Sequence, residues 1–488
     1  MREIIKAIFK TGSGSIINII LGLLSTKVLA LVLGSSGVGL YSLINQTLVT
    51  ATSAGTIGGQ TALVHGLASK HGAERDKYLT TVFWIFSYGA IAVALGFLLF
   101  SPLIAKTVFA SSDEKTISLV RWMTLPIILT IIYSYFINLL NGFRAIGRLA
   151  IAQVIVSFLT ALFAYPISKL VSSGYIIAFI VMISASTLGG ILFSVTVAYK
   201  EKWLNPLIIN FIPKFDREAV NHFSFITRTT FITGLIATGT LLIIRTMIIR
   251  YGGFSSAGIF DVAWILSMTY VALLLGSFGT YYLPTLSGTN DTSSRVTLIQ
   301  DTFKISLLII IPLIITIIVL KSLLITILYT YEFMPSLKII RWMLIGDYFK
   351  VSSWVLAIPM LAYGDMKCLF WTDLLFYIGF LTLSCTVMFY YNDIQFIGIA
   401  FLISYVFYFV YTIYYVRNKH KGILSSNILV HWILGLLLIC IISWQTWSDI
   451  QVNWISAPFW MVIAIGFSWS RLTGKEQTML INMIKKIV

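Results

Sequence analysis

The sequence predicts an all-α membrane protein with about fourteen transmembrane helices, because of its composition, its hydropathy and the lengths of its apolar segments. Of the 488 residues, 58% are apolar or aromatic and 11% are charged, and the mean hydropathy is +0.92. Soluble domains carry about 25% charged residues, so a set of soluble domains of roughly 150 residues each is excluded. The sequence lacks the alternating ten-residue strands that mark outer-membrane barrels, and the predicted spans are therefore helices.

The predicted spans are apolar segments that match the bilayer core, which is about 30 Å thick and needs about 20 apolar residues per helix. The first segment follows a basic start without a small-residue cleavage signal, so we expect an uncleaved span rather than a removed signal peptide. The last two segments are the shortest. In chain order the spans cover residues 13–33, 39–64, 79–101, 117–140, 149–171, 175–198, 224–248, 257–285, 303–326, 337–361, 368–390, 395–416, 427–444 and 456–470.

Lys and Arg residues are distributed unevenly between the two predicted sides of the membrane. The loops on the side of the N-terminus carry 23 of the 34, the opposite loops carry eight, and three lie within spans. By the positive-inside rule, both termini are cytoplasmic. Topology thus explains most of the formal net charge of +16, and no basic face on a soluble surface remains to predict nucleic-acid binding.

The sequence also contains an internal repeat, with copies 219 or 220 residues apart. Six predicted spans separate the copies, so both halves cross the membrane in the same direction, as parallel repeats related by an axis along the membrane normal do. Transporters place their substrate site between two such bundles. The matches pair 119–123 (LVRWM) with 339–343 (IIRWM), 101–109 with 321–329, and 34–41 (GSSGVGLY) with 253–260 (GFSSAGIF).

The repeat and the span positions together predict two pseudo-symmetric six-helix bundles followed by a C-terminal helix pair. The loop between the halves mixes aromatic and basic residues, which is typical of an interfacial segment. The predicted domains are an N-terminal lobe at 1–198, a cytoplasmic interfacial linker at 199–222, a C-terminal lobe at 223–416, an additional helix pair at 427–470 and a cytoplasmic tail at 471–488.

Catalytic motifs are missing from the sequence. It has no GxxxxGK[ST] phosphate loop, no HExxH and no GxSxG elbow. The three cysteines lie in apolar segments without CxxC spacing, which predicts neither a disulfide framework nor a zinc site. We therefore expect no catalytic residue, metal or cofactor, and a protein that is not an enzyme.

Two cations within the spans are the strongest candidates for substrate binding. A charge at bilayer depth costs at least about 2.5–3.5 kcal/mol and normally faces a bundle interior or a hydrated cavity. Lys27 lies in the first span and Arg245 in the seventh, which is the corresponding span of the second half. Facing one cavity, they would attract a phosphate or pyrophosphate. The alternative is that both side chains extend to the outer interface.

Further charged residues lie in the second half. Asp347 and Lys350 are three residues apart on one helical face, so Lys350 either adds a third cation to the cavity or is neutralised by Asp347. Asp347, together with Asp261 and Asp373, is a candidate for taking up a coupling proton or sodium ion. In the second span, Asn45, Gln46 and Gln60 form a polar stripe that would contact sugar hydroxyls or hold helices together.

With these residues in view, the sequence resembles the Wzx-type O-antigen and lipid-linked oligosaccharide flippases, a group that includes the enterobacterial common antigen flippase. They belong to the multidrug/oligosaccharidyl-lipid/polysaccharide exporter superfamily. The resemblance covers roughly residues 8–416. It is carried by Lys27 to Leu40 (KVLALVLGSSGVGL), Leu139 to Gly147 (LLNGFRAIG), Arg245, Tyr282 to Ser287 (YLPTLS) and Leu344 to Lys350 (LIGDYFK).

The resemblance implies that an undecaprenyl-pyrophosphate-linked repeat unit of the O-antigen type crosses the bacterial inner membrane by alternating access. It also implies a basic central cavity, onto which Lys27, Arg245 and Lys350 map, and contact with the polymerase and chain-length proteins of the same pathway. This chain departs from many relatives in its two additional spans and in Asn45, where some relatives carry a basic residue. The alternatives are a multidrug or cation antiporter of the same superfamily and a membrane glycan polymerase or ligase, for which the outer loops are too short.

Overall fold

The computed structural model describes residues 2–206, 215–277, 282–289, 291–419, 425–447, 456–472, 474 and 477–478, with side chains from residue 17 onward except at 273 and 277. Helices make up almost all of these residues, and no strand occurs among them. This confirms the predicted all-α membrane protein. The middle of the predicted linker, 207–214, and most of the predicted tail, 471–488, lie outside the described residues.

The first half of the chain forms a succession of long helices joined by short turns. They are α1 (Arg2–Gly55), α2 (Gln60–Ser69), α3 (Gly72–Leu99), α4 (Ser101–Val108), α5 (Glu114–Trp122), α6 (Thr124–Gly142), α7 (Ile146–Ser172), α8 (Ala178–Lys200) and α9 (Arg217–Ser277).

The second half continues in the same way, with one 3-10 turn at Tyr331–Ser336. Its helices are α10 (Leu283–Gly288), α11 (Thr292–Leu328), α12 (Leu337–Ala362), α13 (Met366–Tyr391), α14 (Gln395–Lys419), α15 (Ser426–Gln445) and α16 (Ser456–Ser470).

Eleven helical segments of the described chain are long and apolar enough to cross a membrane. Two of them, Ile17–Gly55 with 39 residues and Arg217–Gly276 with 60, are far longer than the roughly 20 residues that one crossing needs. Each is interrupted by a non-helical glycine and consists of two helices. Counting these twice and adding the shorter apolar helix α16 gives the fourteen predicted spans.

The two interruptions are structural counterparts of the sequence repeat. Gly34 has φ 63° and ψ −164°, and Gly253, 219 residues later, has φ 74° and ψ 177°. Both lie at positive φ, which glycine adopts without a Cβ clash. The two breaks also touch: the hydroxyls of Ser35 and Ser255 are 2.6 Å apart. A Cβ on Gly39 would lie 1.9 Å from the Phe254 carbonyl oxygen, so a side chain there would force the helices apart.

A second repeat counterpart lies at the predicted cytoplasmic ends of the helices. The guanidinium carbon of Arg75 lies 5.2 Å from the ring centre of Phe143, and that of Arg295 lies 4.7 Å from the ring centre of Tyr363. Both members of the second pair follow the first by 220 positions. Cation–π contacts of this kind contribute about 0.5–1 kcal/mol at exposed sites. The internal repeat thus extends to individual side-chain contacts.

By its contacts the chain divides into two compact units, Ile16–Gly258 and Met1–Ser15 with Ile259–Val488. We call the first the N unit and the second the C unit. The division follows Gly258, beyond the seventh predicted span, whereas the sequence places the lobe boundary in the 199–222 linker. The predicted lobes therefore remain a prediction.

The C unit is built around α12, most of which is buried among its neighbours. The additional helix α15 packs on it through Trp432, whose ring stacks on Phe409 at 4.7 Å and whose Nε1 donates to Ser352. Lys321 and Arg341 donate to the carbonyl oxygens of Thr446 and Trp447, just beyond the end of α15. Because a helix C-terminus carries partial negative charge, these two cations hold α15 in place.

Candidate functional site

The N unit contains a cavity of about 720 Å³ whose mostly apolar wall carries many hydroxyl and amide groups and no charged side chain. Ligand sites typically measure about 300–1,000 Å³. Its lining residues come from α1, α2, the turn between them, α6, α7, α8 and α9, and none is Asp, Glu, Lys, Arg or His. Those with hydroxyl or amide groups are Tyr41, Asn45, Thr52, Ser53, Thr56, Gln60, Thr61, Thr130, Tyr133, Ser134, Asn138, Thr160, Ser186, Thr187, Thr230 and Thr238.

Most of the wall hydroxyls donate their single proton to the backbone, usually to the carbonyl of the preceding helical turn. Thr160 donates to Val156 at 2.9 Å, Ser186 to Met182 and Thr187 to Ile183 at 2.8 Å. A hydroxyl has one proton and two lone pairs, so a hydroxyl bonded in this way offers only acceptor sites to the cavity. The wall thereby combines a mostly apolar surface with scattered hydroxyl oxygens whose protons are already bonded.

Of the predicted sugar contacts, Asn45 and Gln60 line this cavity, whereas Gln46 is not among its lining residues. The Gln46 amide instead links two helices: its Nε2 donates to the Thr238 carbonyl at 2.8 Å, and its Oε1 accepts from Arg245. Of the three residues of the predicted stripe, Asn45 and Gln60 thus line the cavity, and Gln46 links two helices without lining it.

Arg245 is buried, with 5% of its surface exposed. Its hydrogen bond to Gln46 connects it through one side chain to Thr238, which lines the cavity. Lys27 is partly exposed on α1. At the repeat offset of 219, Lys27 corresponds to Thr246, the neighbour of Arg245, so the two cations occupy almost equivalent places in their halves.

The C unit holds the buried charges. Asp347 is fully buried, and its carboxylate accepts from the Ser267 hydroxyl at 2.8 Å and from Tyr270 at 2.6 Å. Lys350 is 3% exposed; its Nζ donates to Met268 Sδ at 2.8 Å and lies 5.8 Å from the Tyr405 ring centre. The two charges are one helical turn apart and interact electrostatically, while each also has partners on other helices.

The other two predicted coupling residues also lie in the C unit. Asp373 Oδ1 accepts a 2.9 Å hydrogen bond from the Tyr408 hydroxyl. Asp261 is buried, with 6% of its surface exposed, and interacts electrostatically with Tyr329. The structure therefore places all three candidate carboxylates, together with Lys350, in the C unit, and places Lys27, Arg245 and the cavity in the N unit.

The sequence reasoning missed most of the cavity wall, including Thr130, Tyr133, Ser134, Asn138 and Thr160. These residues come from α6 and α7, whose polar positions are spaced one turn apart within long apolar runs. In α6, Tyr133, Ser134 and Asn138 follow Thr130 by three, four and eight residues. This is the spacing of one helical face, and it is the signal by which the sequence could have revealed the wall.

The fold matches those of several solved membrane proteins. A lipid II flippase, MurJ, in an inward closed conformation superposes with a TM-score of 0.73 at 18% identity, covering 93% of this chain and 96% of that one. An inward-facing MATE family transporter of the MOP superfamily gives 0.65 at 12% identity, covering 84% and 95%. A MOP superfamily transporter from Pyrococcus furiosus gives 0.62 at 12% identity, covering 87% and 96%.

Residues 4–290 match the family described as "Polysaccharide biosynthesis protein", and the chain belongs to this family. Among curated proteins it is similar to the "Lipid III flippase" of Escherichia coli strain K12 and of Shigella flexneri. Each is 23% identical over 365 residues, which is 74% of this chain and 86% of the relative.

Proposed function

We propose that this protein is a flippase that moves an undecaprenyl-pyrophosphate-linked oligosaccharide of the O-antigen type across the bacterial inner membrane. The observation that carries the proposal is the cavity within the apolar helices of the N unit, whose wall carries hydroxyl and amide groups but no charged side chain. Hydroxyl and amide side chains are a suitable lining for sugars, which a membrane protein has to shield from lipid. The names of the lipid II and lipid III flippases with which it shares fold or sequence support the same assignment.

In this proposal the sugars occupy the cavity and the pyrophosphate binds the cations. Arg245 is suited to it because a guanidinium can hold a phosphate through two parallel hydrogen bonds, and because Gln46 connects it to the cavity wall at Thr238. Lys27, at the near-equivalent position of the first half, is the second proposed cation, and Lys350 in the C unit is a separate candidate for binding phosphate. The lipid tail stays in the bilayer, so only the polar head needs a protein-lined path.

Coupling is proposed to involve the C unit. A buried carboxylate can take up a proton or a sodium ion, and this changes the charge balance beside Lys350. Asp347 is the first candidate because it is fully buried and adjoins Lys350; Asp261 and Asp373 are the others. The alternation between inward- and outward-open states follows the general behaviour of repeat-built transporters.

A second candidate function is multidrug or cation antiport. It is favoured by the buried carboxylates of the C unit and by the shared fold with MATE family transporters. A site for organic cations should contain uncompensated acidic groups, whereas the wall of the N-unit cavity has none. The charge of the transported compound therefore separates the two proposals.

The test is translocation by the purified full-length protein in proteoliposomes. A prenyl-pyrophosphate-linked disaccharide, labelled on the sugar and present in both leaflets, is exposed to a membrane-impermeant sugar-modifying enzyme. We expect the protected half to become accessible in the presence of the protein, and a matched organic cation to remain untransported. Transport of the cation without movement of the lipid-linked sugar would replace flipping by antiport.

A further inference from the structure

The hydrogen bonds within the wall of the N-unit cavity indicate which kind of sugar the cavity binds. Besides the hydroxyls already described, Thr130 donates to the Pro126 carbonyl at 2.8 Å. Because Thr130 has used its proton, the Thr52 hydroxyl, 3.0 Å away, has to donate to Thr130. Thr56 donates to the Thr52 carbonyl and Thr238 to the Gly234 carbonyl, both at 2.9 Å.

Two amide side chains of the wall also donate to backbone carbonyls. Asn45 Nδ2 donates to the Tyr41 carbonyl at 3.1 Å, and Asn138 Nδ2 donates to the Ser134 carbonyl at 2.8 Å. Each bond uses one of the two amide protons and anchors the amide to its own helix. The cavity thus offers many more lone pairs than protons to whatever occupies it.

Two wall hydroxyls differ from the others. Among the described residues, Tyr133 Oη and Ser134 Oγ are buried and make no hydrogen bond, and Ser134 is 7% exposed. An unsatisfied buried hydroxyl is unfavourable, so either hydroxyl would gain from donating to a ligand acceptor that reaches it. They are neighbours in α6, and they add to the donors that the second amide protons of Asn45 and Asn138 provide.

From this pattern we infer that the cavity selects uncharged sugars, bearing hydroxyl or acetamido groups, and rejects uronic acids. The inference rests on the proposed function and deepens it. Sugar hydroxyls and acetamido N–H groups supply the donors that the wall oxygens need, and an acetamido carbonyl can accept from Tyr133 or Ser134. A carboxylate only accepts hydrogen bonds, and the wall has no cation to compensate its charge, so its desolvation is unfavourable.

The decisive experiment compares two lipid-linked disaccharides that differ only in one sugar. The probes are short-chain prenyl-pyrophosphates carrying either an N-acetylhexosamine disaccharide or the same disaccharide with one residue replaced by its uronic acid. Affinity for the full-length protein in detergent is measured by titration. Since one well-made hydrogen bond is worth about a factor of ten, we expect the neutral compound to bind roughly tenfold or more tightly.

A substitution in the wall provides the internal check. Asn138→Lys places a cation in the cavity. We expect it to reduce the preference for the neutral compound over the uronic acid by roughly tenfold. The matched control is Asn141→Lys, one turn further along α6 at an exposed position, which is expected to leave the preference unchanged. If Asn138→Lys does not fold, the wild-type comparison still decides the inference.

The outcomes separate the inference from the function on which it rests. Equal affinity for the two compounds, or tighter binding of the uronic acid, overturns the selectivity and leaves the flippase assignment standing. Failure of both compounds to bind overturns the assignment and the inference together. Displacement of the neutral sugar from the cavity by an organic cation would overturn both in favour of antiport.

Discussion

The N unit and the C unit use equivalent helix positions for opposite chemistry. At the offset of 220, Thr130 in the wall of the N-unit cavity corresponds to Lys350, and the buried Ile127 corresponds to Asp347. The partner of Asp347 on the neighbouring helix, Ser267, corresponds to Thr47. The two copies thus share a helical framework and differ in charge at these positions. We relate the neutral copy to sugar binding and the charged copy to coupling.

The largest effect is expected from Arg245→Ala. The change removes the proposed pyrophosphate ligand of the N unit and leaves Gln46 without its guanidinium partner. Because a hydrogen bond to a charged group contributes about 1.5–3 kcal/mol and the proposed phosphate ligand is lost as well, surface glycan should fall below about a tenth of the wild-type amount. Glycan is measured on gels and normalised to the protein in the membrane.

The matched control for this variant is Arg250→Ala. Arg250 is an exposed arginine of the same helix and donates to the Thr107 carbonyl at 3.0 Å. It should retain near wild-type glycan. Unchanged glycan in Arg245→Ala at a normal protein level would remove Arg245 from the site.

The next largest effect concerns the charged pair of the C unit. Lys350→Met leaves the fully buried Asp347 without its neighbouring cation, and breaking a buried pair costs about 3–5 kcal/mol. The double variant with Asp347→Asn should recover most of this stability while transport stays impaired. The equivalent N-unit change, Thr130→Val, should alter stability by only about 1 kcal/mol. Thermal unfolding in detergent measures all three, and equal stability of the single and double C-unit variants would refute the pairing.

A moderate effect is expected where the two helix breaks meet. Gly39→Ala places a Cβ against the Phe254 carbonyl oxygen, and overpacking of this kind costs about 1–3 kcal/mol. Gly22→Ala is the control, since a Cβ there meets no atom within 4 Å. A lowered unfolding temperature for the first variant alone supports a tight contact. If both variants unfold like the wild type, the breaks do not pack as described.

The smallest effect concerns a helix cap that only one copy of the repeat has. Asp291 accepts from the Ser294 backbone N–H at 2.9 Å, whereas its counterpart His71 makes no side-chain cap. Hydrogen bonds from Ser293 and Ser294 lower the pKa of Asp291 below its ordinary value. The stabilisation is therefore complete at neutral pH and declines only below about pH 3.9. Asp291→Ala should unfold slightly earlier at pH 7, and His71→Ala should not; equal unfolding temperatures would argue against the cap.

The sequence predicted the parts of the structure that local physics determines. Apolar segment lengths gave the helices, and the Gly-Ser clusters at 34–41 and 253–260 marked the two breaks, because only glycine adopts positive φ without strain. The buried positions of Arg245, Asp347 and Lys350 followed from their apolar surroundings.

The rest depends on how distant helices pack. Gln46 and Asn45 are adjacent in sequence, yet one supports Arg245 and the other lines the cavity, and only their neighbours decide which. The wall residues Thr130 and Thr160 lie on helices that a sequence pattern cannot place beside α1. The division of the chain after Gly258 reflects contacts of the seventh span that its sequence does not encode locally.

The most direct test of the account is an experimental structure of the full-length protein with a bound prenyl-pyrophosphate-linked neutral disaccharide. We expect sugar density in the N-unit cavity within hydrogen-bonding distance of Asn138 and Thr130, and the pyrophosphate at Arg245. A disaccharide bound beside Lys350 in the C unit, with the N-unit cavity empty, would contradict the proposed division between the two units.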